Sequence, residues 1–426
     1  MSPNGNQKVS ESSNSRPRLA VVSPTLDKSH GTERMVVEWI HRLSDIFEIH
    51  VYSQQVEDLD LSKIVWHRIP RIPGPYLFNF LWWFVANHLL RRRDARSHNF
   101  DFDIVFSPGT NCFDADAVTV HIVFAEFVCR VRPELKLVRN PIRQWPRLLH
   151  RRLYYKTIML LEKHVFRNKR TQLILTAPHT AAEIERYFGR TEVFPLVSAG
   201  LDHTIFNPAH RSSLRRNARE SLGIADDRIV LLLIGNDWRK KGLGTLLEAL
   251  GRLSHLPTDL LVAGKDDPTP FLTVIRQRSL ESKVRFLPPR RDVEFYYAAA
   301  DAYVGPSLED TFALPASEAM ACSLPVIISA RAGASALVTH GVDGLILDDP
   351  TDAPTLARLI GRLCGDRELR ERLGQNATQT TQRYTWERSA EDLAAVFHEI
   401  IQRKNKRFPE SALKDLSNCD SGRAAR

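Results

Sequence analysis

Cysteine is scarce in this chain of 426 residues. The five present (Cys112, Cys129, Cys322, Cys364 and Cys419) are odd in number, scattered and without C-x-x-C spacing. That argues against a zinc site and for reduced thiols in a cytoplasm. Long apolar runs are missing too: none approaches the ~20 residues needed to span a bilayer. The opening stretch, Met1 to Ser15, is polar and rich in Ser and Asn with no apolar centre, so a disordered lead is expected and a signal peptide is not. No helix-turn-helix, zinc or RNP signature accompanies the positive charge, which leaves nucleic acid little support as a partner.

What is present is the composition of a soluble globular chain, 43% hydrophobic and 26% charged, long enough for two or three domains with their own cores. A net charge of +9 suits a polyanion, an anionic membrane or a phosphorylated substrate, and alone decides nothing.

Arg18 to Pro24 reads as a short buried strand, followed by a loop with Gly31 and a helix from Glu33 to Leu43 whose apolar residues recur at helical spacing. Strand, glycine-bearing loop and helix form the phosphate-side corner of a Rossmann-like unit, although a single glycine is a weak signal and an isolated loop glycine more commonly serves a tight turn. Further strands are expected over Ile46–Tyr52, Ile64–Ile69, Asp101–Pro108, Ala117–Ile122, Thr171–Thr176 and Val193–Val197, with a helix over Thr180–Phe188. Tyr76 to Leu90 reads as an aromatic helix followed by Arg91, Arg92 and Arg93, which fits either a membrane surface or a core helix with a basic end. Arg130 to Arg152 is crowded with Arg and Lys, as an acceptor-side loop or a solvated face. His121 closes a strand; such a residue is commonly structural, but strand ends are where α/β sheets bind ligands.

The pattern restarts at Arg228–Ile234, a buried strand leading through Gly235, Asn236, Asp237, Trp238, Arg239, Lys240, Lys241 and Gly242 into a helix over Leu243–Leu253. Basic side chains in such a loop can neutralise a diphosphate, or simply form a solvated turn. Strands follow at Asp259–Gly264, Val284–Leu287, Ala302–Pro306, Pro325–Ile328 and Gly341–Leu347, then a helix over Ala353–Leu363 and a last amphipathic helix over Trp386–Gln402.

The stretch SLEDTFALPASEAMACSLPVII, Ser307 to Ile328, is the focus of this second half. A loop entering a helix offers free N–H groups and the positive end of the helix dipole. Asp310 and Glu318 flank it, and carboxylates there can accept hydrogen bonds from sugar or ribose hydroxyls. The plain structural alternative is an N-cap acid followed by a solvated helical glutamate.

This stretch resembles the signature of the retaining glycosyltransferases of family 4, F-G-L-P-x-x-E-A-M-A-C-G-x-P-V bracketed by two acids. Asp310, Phe312, Leu314, Pro315, Glu318, Ala319, Met320, Ala321, Cys322, Pro325 and Val326 match, while Asp310 stands for the usual Glu and Ala313 and Ser323 stand for glycines. Gly31, Thr32, Glu33 and Arg34 resemble the family's G-G-x-E-R, with His30 in place of one glycine. Ala199-Gly200-Leu201-Asp202 resembles its N-G-V-D. Lys241 matches the Lys of G-R-x-x-x-x-K-G, whose Arg is Asn236 here.

The resemblance implies an α/β chain of GT-B type: two Rossmann-like domains facing across a cleft, with a C-terminal helix crossing back. The divisions expected are a lead at 1–16, an acceptor-side domain at 17–206, a linker at 207–227, a donor-binding domain at 228–385, the crossing helix at 386–402 and a disordered tail at 403–426. It further implies transfer of a sugar, with retention, from a nucleotide diphosphate sugar to a hydroxyl of a glycan or lipid-linked acceptor, as in cell-surface polysaccharide or glycolipid synthesis. The donor is a co-substrate; no bound cofactor and no metal are implied, since Asp101 and Asp103 read D-F-D only ahead of a strand. Lys241, Asp310 and His121 are the implied catalytic residues. Gly31, Thr32, Asn236, Arg239, Gly264, Leu287, Thr311, Phe312, Ala313, Leu314 and Glu318 are the implied donor-binding residues. A cytoplasmic location, with peripheral contact at the inner face of an anionic membrane, follows as an expectation. A GT-B phosphorylase or epimerase, or a nucleotide- or membrane-binding protein with a decayed site, are the other readings.

Overall fold

The computed structural model describes residues 16–28, 31–98, 101–131, 135 and 142–407. The expected lead (but for Arg16), most of the expected tail, His30 and much of the basic stretch after Arg130 lie outside the described residues.

The first half alternates strand and helix in chain order. It contains β1 (Arg18–Val22), β2 (Thr25–Leu26), α1 (Gly31–Leu43), β3 (Glu48–Ser53), β4 (Gln55–Val56), β5 (Ile64–Arg68), α2 (Tyr76–His98), β6 (Ile104–Pro108) and β7 (Ala117–Val120). After these come α3 (Phe124–Val131), α4 (Trp145–Arg167), β8 (Gln172–Leu175) and α5 (Thr180–Phe188). The second half contains α6 (Pro208–Ser221), β9 (Ile229–Ile234), α7 (Leu243–Gly251), β10 (Thr258–Ala263), α8 (Thr269–Gln277), β11 (Val284–Leu287) and α9 (Glu294–Ala299). It continues with β12 (Ala302–Gly305), α10 (Leu314–Ala321), β13 (Val326–Ser329), β14 (Leu345–Leu347), α11 (Ala353–Gly365), α12 (Arg367–Thr381) and α13 (Trp386–Arg407).

Two parallel sheets result, in the orders β5-β3-β1-β6-β7-β8 and β11-β10-β9-β12-β13-β14. Both are doubly wound, and the strand order reverses beside β1 in one and beside β9 in the other. Near-continuous burial of the central strands, such as Val230 to Leu233 and Leu260 to Ala263, is what a parallel sheet covered on both faces demands.

The last helix, α13, crosses back onto the first half. Phe397 packs 5.2 Å from Phe106 and 6.0 Å from Phe47, ring centre to ring centre. The Trp39 indole N–H donates to Ser389 Oγ at 2.8 Å, and Ser389 Oγ donates to the Ser198 carbonyl at 2.6 Å. Gly200 is required where the chain passes under α13: a Cβ there would lie 2.3 Å from the Trp386 backbone nitrogen.

Five expectations change. Residues 403–407, expected to open the tail, continue α13, and of the strand expected over Gly341–Leu347 only Leu345–Leu347 forms, because Gly341 sits in a turn at φ +80°. Val193–Val197 is not a strand; it makes a single bridge, Leu196 to Leu175, because Pro195 has no N–H to continue a ladder and Val193 is 97% exposed. Arg91 is not a surface cation: it is buried and paired with Asp114 at 2.7 and 3.1 Å. The described part of the basic stretch after Ile142 is a 3-10 turn and the long helix α4, not an open loop.

Candidate active site in the cleft

In open parallel sheets the crevice opens where the strand order reverses, beyond the carboxyl ends of the strands. The loop after β9 and the loop after β12 meet there. Gly242, at φ +77°, makes the meeting possible, since a Cβ on it would sit 1.9 Å from the Pro306 carbonyl oxygen. The Leu308 N–H donates to the Lys240 carbonyl at 2.7 Å and locks the two loops together.

That contact brings Lys241 to Asp310. Lys241 Nζ donates to Asp310 Oδ2, with only 17% and 11% of the two side chains exposed. Asp310 Oδ1 accepts from the Ala313 N–H at 3.1 Å, so the same carboxylate shapes the turn into α10. Ala313 is the N-cap of α10 at φ 64°, ψ 53°, a left-handed backbone, and Pro315 occupies the first turn, where a missing N–H costs nothing.

Glu318 is not the solvated helical glutamate of the plain alternative: it is 3% exposed. Its Oε1 accepts from Arg34 Nη1 at 2.6 Å and its Oε2 from the Tyr297 hydroxyl at 2.7 Å. Arg34 belongs to α1 of the first half, so this ion pair spans the two halves. The Arg34 guanidinium also lies 5.9 Å from the Phe206 ring centre. Burial, joined by the Glu318 charge, pushes the Tyr297 hydroxyl well above its ordinary range, which keeps it a donor.

Lys240 makes a second link across the cleft, with Nζ 4.7 Å from the centre of the Phe127 ring on α3.

His121 lies just past the end of β7, buried and stacked on Trp39 with ring centres 6.5 Å apart. One ring nitrogen, Nε2, is 3.1 Å from Thr119 Oγ1, while Nδ1 is buried with no hydrogen-bond partner among the described residues. Burial pushes the imidazole down to about 4, so it is neutral near pH 7.

His121 and Asp310 line one cavity of about 170 Å³ between the halves. Ile122, His179, Thr180 and Glu183 complete its wall on the first half; Glu309, Thr311, Ala330 and Arg331 complete it on the second.

The other expected residues are distributed as follows. Gly31 faces Leu314 across the cleft, its Cβ position 3.5 Å from Leu314 Cδ1, and Thr32 follows it in α1. Phe312, Ala313 and Leu314 are buried at the start of α10, and Thr311 is on the cavity wall. Gly264 and Leu287 are joined by a backbone hydrogen bond of 3.1 Å at the ends of β10 and β11. Asn236 is exposed and its Oδ1 accepts from the Lys265 N–H at 2.9 Å, so it caps a neighbouring loop; Arg239 is exposed on the same turn.

Sequence reasoning did not single out Tyr297, which sits in an apolar helix with no motif around it. His179 and Glu183 at the β8–α5 junction could have been found by the strand-end logic that found His121. Among the described residues no group of three or more His, Cys, Asp or Glu is placed to hold a metal ion.

Comparison with known proteins converges on this architecture. Residues 215–380, which carry Lys241, Tyr297, Asp310 and Glu318, match the family described as Glycosyl transferases group 1. The D-inositol 3-phosphate glycosyltransferase of Corynebacterium kroppenstedtii is 31% identical over 231 residues, covering 51% of this chain and 50% of that protein. The chain thus spans about half the length of the curated relatives it matches. Among solved structures, WaaG, a glycosyltransferase involved in lipopolysaccharide biosynthesis, superposes with a TM-score of 0.74 at 20% identity, over 89% of this chain and 99% of that one. Anabaena Alr3699/HepE in complex with UDP-glucose superposes with a TM-score of 0.66 at 18% identity, over 90% and 99%. These likenesses show the fold: two Rossmann-like halves of GT-B type.

Proposed function

We propose that this chain is a retaining glycosyltransferase of family 4 type, moving a sugar from a nucleotide diphosphate sugar to a hydroxyl of a glycan or lipid-linked acceptor. The observation that carries the proposal is the Lys241–Asp310 pair, held at the reversal point of the second sheet within the segment that matches glycosyl transferases group 1. The curated relatives are named as glycosyltransferases and one structural neighbour was solved with UDP-glucose, which supports a nucleotide sugar as donor.

Cleavage of the donor's glycosidic bond leaves negative charge on the diphosphate. Lys241 is fixed in position before the donor arrives and would stabilise that charge, together with the N-terminal N–H groups of α10. Asp310 would accept from hydroxyls of the transferred sugar and Glu318 from those of the ribose. His121, neutral and on the cavity wall, offers a hydrogen bond to the sugar and no proton at neutral pH. The polar cavity between the halves is where the acceptor hydroxyl would approach.

A peripheral place on the inner face of an anionic membrane belongs to the same reading. Tyr76, Phe78, Trp82, Val85 and Leu89 of α2 and Leu149, Leu153 and Leu160 of α4 are exposed, and Arg92, Arg93 and Arg147 lie exposed among them. The helices adjoin through Tyr76 and Tyr154, ring centres 4.9 Å apart. Exposed apolar side chains with exposed arginines on the same helices suit anionic headgroups. No helix among the described residues is long and apolar enough to cross a membrane.

The test is product analysis with a panel of nucleotide sugars, with and without inorganic phosphate. Sugar transferred to an acceptor with its anomeric configuration kept is expected. A sugar phosphate formed only when phosphate is present would instead make the chain a phosphorylase.

A further inference from the structure

Glu318 is a buried carboxylate with two donors already on it, and the way they are shared limits what else it can bind. An ionised carboxylate has two oxygens with about four acceptor sites in all. Arg34 Nη1 takes one site on Oε1 at 2.6 Å, and the Tyr297 hydroxyl takes one on Oε2 at 2.7 Å. One site remains on each oxygen. Two acceptor sites left on one carboxylate match two vicinal hydroxyls, whereas a single hydroxyl fills only one of them.

We infer that Arg34 and Tyr297 are positioning residues which fix the Glu318 carboxylate so that its two remaining acceptor sites receive the 2′- and 3′-hydroxyls of the donor's ribose, Arg34 doing so from the opposite half of the molecule. The inference rests on the reading of the chain as nucleotide-sugar dependent, and deepens it. The donor site is then incomplete without the first half.

Three observations support this. Glu318 is 3% exposed, and the half-buried Arg34, 22% exposed, gives this carboxylate the opposite charge that a buried acid requires beside it. Arg34 is itself fixed: it leaves α1 two residues after Thr32, lies over Phe206, and one turn earlier a Cβ on Gly31 would already lie 3.5 Å from Leu314 Cδ1 at the start of α10. Tyr297 is fully buried beneath α10, and its hydroxyl has Glu318 as acceptor. A lysine at position 34 would keep the charge but lose the planar geometry that sets the carboxylate's orientation.

The experiment measures dissociation constants of the full-length wild type and of Arg34→Lys, Arg34→Ala and Tyr297→Phe for a nucleoside diphosphate and its 2′-deoxy analogue, with melting temperature as a folding check. Wild type is expected to prefer the ribonucleotide by ~10- to 100-fold, the range for one hydrogen bond to a charged group. Arg34→Ala and Tyr297→Phe should weaken ribonucleotide binding and collapse the preference to within ~3-fold, leaving deoxynucleotide affinity almost unchanged. Arg34→Lys should recover part of it, and in turnover KM for the donor should move more than kcat.

A preference that stays at its wild-type value in folded Arg34→Lys and Tyr297→Phe proteins would overturn the inference, leaving Arg34 as a tie between the halves. Should Arg34→Ala fail to fold, those two conservative variants decide. A wild type that binds no nucleoside diphosphate would overturn the donor reading itself, and this inference with it.

Discussion

At the scale of single residues, two departures from the family pattern have a backbone explanation. Ala313 and Ser323 stand where the pattern has glycine, and both keep positive φ, 64° and 58°. The chain path of the motif is preserved while two L-residues bear its strain. Ala313→Gly should therefore raise stability by about 0.5–1 kcal/mol, the left-handed strain less the entropy glycine loses, measured by denaturant unfolding. A lower midpoint would mean that methyl packing outweighs the strain. His121 supplies the pH dependence. Its folded value near 4 lies below the ordinary 6.5, so between these the unfolded chain binds more protons and stability falls as pH drops. The loss between pH 7 and pH 4 should reach up to about 3 kcal/mol and shrink in His121→Gln. An equal pH slope in both proteins would show that His121 is not the group responsible. The motif residues were legible because each has a fixed job at a fixed spacing. Tyr297 was not, because a tyrosine in an apolar helix looks like core until its hydroxyl is seen on a carboxylate.

At the scale of elements, the buried strands were legible from short apolar runs, and the strand–loop–helix corners after β1 and β9 from their glycines. Val193–Val197 misled because its apolar residues read as a strand, whereas Pro195 and a solvated Val193 leave one bridge. The arginines after the aromatic helix misled in another way: sequence cannot tell that Arg91 turns inward to Asp114 while Arg92 and Arg93 stay exposed. The crossing of α13 depends on Gly200 passing within backbone contact of Trp386. Gly200→Ala should destabilise the protein by about 2–3 kcal/mol as an overpacking defect, seen as a lowered melting temperature. An unchanged midpoint would mean that the crossing segment shifts freely.

At the scale of the molecule, the second half was far more legible than the cleft. Residues of the motif declare themselves along the chain, but the Arg34–Glu318 pair joins residues 284 positions apart and exists only once both halves are folded. The exposed apolar face of α2 and α4 is likewise a property of the assembled first half. It predicts co-sedimentation with vesicles containing anionic phospholipid, weakened by added salt and by Trp82→Ala with Leu89→Ala. Equal binding to neutral vesicles, or none to either, would count against the membrane reading. The central claim is that Lys241 and Asp310 mark a site for a nucleotide diphosphate sugar. The most direct test is titration of UDP, GDP and ADP sugars into the wild type and Lys241→Ala, followed by melting temperature. One nucleotide should stabilise the wild type, by about 2.7 kcal/mol at a hundredfold excess over its Kd, and stabilise Lys241→Ala much less. Stabilisation of both proteins alike, or of neither by any of the three, would contradict the account.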